Sequence, residues 1–182
     1  MTILEDSRQQ IWDGDKHRNI HRYCEQTGIK IIRQKLPYGD YAIAREDENG
    51  VIYENLDRGL IAWEPAVVVD SKKDVLEIIN NIMSPQYKRF REECKKAQAA
   101  GSTLVILVEE ALPDGRLDKW RSPVYSRDGH GHRAGDPITR ANPASLRKAL
   151  ITIQNKYGVK FRFCDGRQTG KQLIEYLKGE RT

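Results

Sequence analysis

Residues 66–74 read AVVVDSKKD, and this stretch decides the fold. Its first four residues are apolar and mostly β-branched, with no polar interruption, which is how a central strand covered on both faces reads. The run then ends abruptly in charge. Successive side chains on a strand point to opposite faces, so Asp70 and Lys72 share one face while Ser71 points to the other. A carboxylate and an ammonium therefore emerge side by side at the end of a rigid strand, where a site is well held. TLVILV at 103–108 has the same unbroken character, and the two runs predict the core of a sheet.

Between these strands, residues 73–83 carry Val75, Leu76, Ile79 and Ile82 at helical spacing. Ser84-Pro85 predicts a restart, with Ser as N-cap and Pro in the first turn of a helix running to about Ala100. Upstream, 3–12 reads as a short strand and its exit. Residues 17–27 read as a helix with Ile20, Tyr23 and Cys24 on one face and Gly28 as its stop. IKIIRQKL (29–36) reads as a strand, LPYGDYAIA (36–44) as a turn into another, and VIYENL (51–56) as the return arm of a hairpin across EDENG. Downstream, 112–141 is rich in Gly, Pro, Asp and Arg without periodicity, as in a long functional loop. Asn142-Pro143 opens a helix ending before Gly158, followed by the strand VKFRF and a last helix over 169–178. This order predicts an α/β sandwich with helices on both faces of a central mixed sheet. The length suits one domain over 1–182, divided into a core (1–110), a basic loop (111–141) and a closing helix-strand-helix (142–182).

The 182 residues hold 31 Lys+Arg against 26 Asp+Glu, a net charge of +5. With a mean hydropathy of −0.69, the longest apolar run is far short of a bilayer span, which argues against a membrane-spanning chain. The first ten residues lack a basic region followed by an apolar one, so the expected compartment is the cytoplasm. Cys24, Cys94 and Cys164 are widely separated and form no CxxC pair, which argues for reduced, packed thiols rather than a disulfide frame or zinc knuckle. The charge is uneven: 1–110 carries net −3 and 111–182 net +8. A basic region of this kind suits a polyanion partner, although it also occurs as a merely solvated surface.

Thirty residues before Asp70, Gly39-Asp40-Tyr41 places a second carboxylate after a glycine turn. If this segment pairs beside AVVVD, Asp40 and Asp70 converge on one hard divalent cation, for which carboxylate oxygens are natural ligands, and Lys72 faces the same site. Such a set suits phosphodiester hydrolysis, in which Mg2+ (or Mn2+) neutralises phosphate charge and a lysine stabilises the pentacovalent state. The plain alternative is a helix cap on a charged surface. In the basic part, Arg116, Lys119, Arg121, Arg127, Arg133 and Arg140, with Trp120 and Tyr125 among them, form a segment suited to tracking phosphates and stacking on bases. Arginines that only keep a surface loop soluble would read the same. Two other patterns fail: His130-Gly131-His132 lacks a third ligand at metal spacing, and DGRQTGKQ (165–172) misses P-loop spacing with Gln172 in place of Ser or Thr.

In order along the chain, LEDSRQQ, LPYGDYAI, VVVDSKKDVLEIINNI and YKRFREECKKAQAAGSTLVILVE resemble the blocks of the XPF-type structure-specific nucleases. These belong to the restriction-endonuclease-like PD-(D/E)xK fold, and the likeness extends to their small stand-alone phage and prophage forms. The resemblance implies a restriction-endonuclease-like three-layer sandwich and a Mg2+-dependent endonuclease acting on branched or flapped DNA, in recombination, replication or repair. It implies Asp40 and Asp70 as metal ligands with Lys72 as the catalytic lysine. Asp6 and Arg8 fall at the edge of the site, Asp6 as a further ligand, and Arg89 faces it from the long helix. Three departures stand out: Ser71 replaces the arginine of Glu-Arg-Lys, Gln9 stands where the family has Glu, and the downstream acid falls near Glu77 or Asp74. Lys73 would replace Lys72 only if the strand bulged. These departures leave room for a non-catalytic nucleic-acid-binding module, or a partner subunit, with the same fold. The family's pairing habit makes a homodimer one expected state.

Overall fold

The computed structural model describes residues 1–9, 17–44, 65–120 and 142–181. Among these residues six strands form one mixed sheet: β1 (Thr2–Asp6), β2 (Lys30–Gln34), β3 (Tyr41–Ile43), β4 (Val67–Lys72), β5 (Thr103–Val108) and β6 (Lys160–Phe163), in the spatial order β2-β1-β3-β4-β5-β6. Pairs β1–β2, β4–β5 and β5–β6 are parallel, whereas β3 lies antiparallel to both β1 and β4. Running antiparallel to each of them, β3 makes β1 and β4 point the same way. The C-terminal ends of β1 and β4 and the N-terminal end of β3 thus meet at one edge of the sheet, where open α/β sheets place their ligands.

Among the described residues, five α-helices cover the sheet: α1 (Arg18–Thr27), α2 (Val75–Met83), α3 (Tyr87–Ala99), α4 (Pro143–Tyr157) and α5 (Thr169–Leu177). The alternation of β4 sorts its residues between two layers. Val68 packs with Ile78, Phe90, Cys94, Leu146 and Leu150 of α2, α3 and α4, while Val69 packs with Ile20 and Cys24 of α1 and Leu173 and Ile174 of α5. This is the predicted α/β/α sandwich. The Val68 face carries on to Asp70 and Lys72, so the charged end of β4 opens toward α2 and α3.

The element predictions hold with local corrections. The decisive strand runs on to Lys72, because parallel pairing with β5 continues through Lys72 and Val108. The N-terminal strand ends at Asp6, the short strand expected at the start of 3–12. Ser84 does not cap α3. It ends α2 in an extended conformation, its hydroxyl accepts from the Gln86 amide at 3.1 Å and its carbonyl from the Tyr87 amide at 3.0 Å, so the helix restarts only at Tyr87. Asn142 and Gly158 bound α4 as expected, the Asn142 side chain accepting from the Ala144 amide at 2.9 Å. All three cysteines are free and buried. Residues 112–120 form two short 3-10 turns, Pro113–Gly115 and Leu117–Lys119. The hairpin arm at 51–56, His130, His132, and the rest of the basic loop lie outside the described residues. Among those described, no helix is long and apolar enough to cross a membrane.

Candidate active site

A cavity of about 950 Å3 opens at the sheet edge where β1, β3 and β4 meet, walled on one side by α2 and α3. Asp6, Arg8, Asp40, Asp70, Lys72 and Arg89, separated by up to 83 positions in sequence, all line it. The topology is what joins them. Antiparallel pairing sets Tyr41 opposite Val69, so the residue before β3 lies beside the end of β4.

Asp40 is held from four directions. Its amide donates to the Val69 carbonyl at 2.9 Å and its carbonyl accepts from the Asp6 amide at 2.8 Å. One carboxylate oxygen accepts from the Ser71 amide at 2.9 Å, and the other from the side-chain amide of Gln9. Asp70 and Lys72 are joined as strand alternation predicts, Nζ lying 2.7 Å from Oδ1 with both side chains nearly buried. Burial alone would pull the Lys72 ammonium down, but the charges of Asp70, Asp40 and Glu77 outweigh it and hold it above its ordinary value. Lys72 is therefore a cation at neutral pH, able to donate and to stabilise negative charge, and not a general base.

Glu93 is a site residue that the sequence reading passed over. It lies one helical turn after Arg89, lines the cavity and accepts from the Gly39 amide at 2.7 Å. Burial pushes its carboxyl up, and the neighbouring Asp70 charge adds to the shift. The signal was present in the four-residue spacing from Arg89, which puts both on one helical face. Of the two acids considered downstream, Asp74 is spent as the N-cap of α2, accepting from the Glu77 amide at 2.8 Å, whereas Glu77 stands 3.9 Å from Lys72. Lys73 is exposed at the mouth, and β4 shows no bulge before it.

One expectation is refined and one corrected. Asp6 lines the cavity with its carboxylate held by Arg8, whose Nε lies at 2.9 and 3.1 Å, and by the Leu36 amide, which donates to it at 3.3 Å. That grip orders Arg8 at the cavity edge, as the Lys72 contact orders Asp70. Trp120 does not stack on bases. It is only 2% exposed, packed in the α2–α3–α4 core, with its indole N–H donated to Glu110 at 2.7 Å. Arg116 and Lys119 are exposed, but each is bound to an acid of its own segment, Asp118 at 2.6 Å and Asp114 at 2.5 Å. Neither lines the cavity. Arg121, Tyr125, Arg127, Arg133 and Arg140 lie outside the described residues.

The donors gathered at the sheet edge are carboxylate oxygens from Asp40, Asp70 and Glu93, a hard set suited in kind to a divalent cation of the Mg2+ class. Among the described residues, no group of three or more His, Cys, Asp or Glu side chains is placed to hold a metal ion as it stands. The direct Lys72–Asp70 contact occupies part of that set.

The model of the ERCC4 domain family matches residues 6–177. Among solved structures, the chain is similar to "XPF from Aeropyrum pernix", with a TM-score of 0.58 and 15% identity, covering 99% of this chain and 65% of that one. It is similar also to "XPF from Aeropyrum pernix, complex with DNA", at 0.57 and 15%, covering 98% and 64%. The chain thus spans just under two thirds of the length of these structures, and at such identity the likeness establishes the fold. Comparison with curated proteins returns no match.

Proposed function

The chain belongs to the ERCC4 domain family, and from that premise we propose that it is a divalent-metal-dependent endonuclease that hydrolyses phosphodiester bonds in branched or flapped DNA. The observation that carries this reading is the convergence of Asp40, Asp70 and Lys72, from two antiparallel strands, in one cavity. The nuclease fold of the similar structures, one of them bound to DNA, supports it.

In this reading Asp40 and Asp70 hold the cation, with Glu93 beside them. A bound Mg2+ or Mn2+ would neutralise phosphate charge and lower the pKa of the attacking water. Lys72, kept as an ammonium by its acidic neighbours, stabilises the negative charge that develops on the phosphate. Gln9 and the Ser71 amide keep the Asp40 carboxylate in a single orientation. Arg8 is positioned by Asp6, with Nη2 donating to the Leu36 carbonyl at 2.5 Å, and Arg89 offers a cation from the facing helix. The whole of 1–182 acts as one domain, alone or as a homodimer.

The test uses flap, splayed-arm, four-way and plain duplex DNA, with and without Mg2+ or Mn2+. The expected result is metal-dependent cutting of the branched substrates that falls at least ~100-fold in both Asp70→Ala and Lys72→Ala. Tight binding without cutting would instead favour the non-catalytic module, for which the Gln9 and Ser71 departures and the closed Lys72–Asp70 pair speak. Cutting that survives both substitutions would place the chemistry elsewhere.

A further inference from the structure

We propose that the phosphate backbone of bound DNA is carried by the α2–α3 wall of the cavity, through Lys73, Arg89 and Lys96, and not by the start of the basic segment at Arg116 and Lys119. The proposal rests on the reading that this cavity handles DNA, and it names the surface that grips the strand.

On α3, positions 89, 93 and 96 follow one another at i, i+4 and i+7, so their side chains share one helical face. That face is turned to the cavity, since all three residues line it. Glu93 is the inner member, bonded to the Gly39 amide, while Arg89 and Lys96 are exposed at the mouth. Lys73 reaches the same mouth from the turn between β4 and α2, next to the buried Lys72.

What separates these three from the other cations lining the cavity is the lack of an ion pair, since Arg8 and Lys72 are held by Asp6 and Asp70. Among the described residues none of the three forms an ion pair. Elsewhere on α3, Arg91 and Lys95 are drawn to Glu92, at 3.5 and 3.0 Å. In the basic segment, Arg116 and Lys119 are closed on Asp118 and Asp114. A cation already paired must give up that partner before it meets a phosphate, so its net contribution is small. An unpaired one binds the phosphate and releases condensed counterions. The rest of the wall carries the neutral Asn80, Asn81 and Gln86 beside Glu77 and Glu92, the latter paired with Lys95, and no aromatic ring lines it among the described residues. Without a stacking platform the wall contacts backbone rather than bases, and its grip is independent of sequence.

The test measures binding of the full chain to a fluorescein-labelled flap duplex by anisotropy, in EDTA, from about 50 to 200 mM salt. Lys73→Gln with Lys96→Gln is expected to weaken binding equally for unrelated sequences. It should also make the slope of log K against log salt shallower by about 2, since each duplex phosphate contact contributes about 0.9. Arg116→Gln with Lys119→Gln is expected to leave affinity and slope unchanged, and circular dichroism melting checks that both variants fold. An unchanged slope in the first pair, with DNA still bound, overturns the proposal and leaves the nuclease reading standing. A slope lost in the second pair overturns it in favour of the basic segment. Absence of DNA binding by the unsubstituted chain at the lowest salt overturns both.

Discussion

Gly39 shows how narrowly the site is drawn at the residue scale. Its φ is +69°, a left-handed conformation, and a Cβ there would fall on Val68 Cγ1. Both the backbone strain and the overlap oppose a side chain, so Gly39→Ala is expected to cost about 2–4 kcal/mol in urea unfolding. It should also displace the adjacent Asp40; a substitution within 0.5 kcal/mol of the parent would show that β3 can move away from β4 freely. Asp70 and Lys72 were legible because strand alternation has a period of two and the apolar run before them left no doubt about the strand. Trp120 was not. An aromatic among arginines reads as a stacking group until an acceptor is seen, and that acceptor, Glu110, is met only in the folded chain.

Glu110 ties elements together as well as residues. One of its oxygens accepts from the Val75 amide at the start of α2, at 2.8 Å, and the other from the Trp120 indole. It therefore caps the helix that walls the cavity and anchors the chain after β5. Glu110→Ala leaves a nearly buried indole N–H and a helix-terminal amide without their acceptor, an expected loss of about 1–3 kcal/mol. Glu110→Gln, which keeps one acceptor oxygen, should lose less, and thermal melts of the two variants rank them. Equal losses would mean that the carboxylate acts through charge alone. Strands and helices were legible where apolar spacing was strong, as in β4, β5 and α1. The Ser84-Pro85 start of α3 was misread because the sequence shows a capping residue without showing which helix it serves.

Across the whole molecule, the face opposite the cavity is locked by a further buried carboxylate. Glu5 accepts from His21 and from Tyr41, each at 2.7 Å, and meets Arg33 at 3.2 Å, joining β1, β2, β3 and α1. Burial alone would raise its carboxyl, but the hydrogen bonds from His21 and Tyr41 and the nearby imidazoles win and hold it below the ordinary 4.5. A carboxyl depressed in the native state stabilises the fold fully above its unfolded value and loses that contribution as pH falls through the native one. The urea midpoint is therefore expected to decline as pH drops below about 4.5, and Glu5→Gln should flatten that part of the profile. A profile of the same steepness in the variant would assign the acid sensitivity to other groups.

The uneven charge, net −3 over 1–110 and +8 beyond, was visible in the sequence, and so was the order of strands and helices around AVVVD and TLVILV. Both follow from local pattern: side-chain periodicity and charge are properties of a chain segment read by itself. Which cations stand open to a phosphate was decided only by the tertiary structure, because pairing depends on the acid that folding brings within reach. Arg33 was closed by Glu5 of the neighbouring strand, whereas Lys96 was left at the cavity mouth. In the same way Asp40 and Asp70 became neighbours through the antiparallel register of β3 on β4, a contact between segments thirty residues apart that no local spacing specifies.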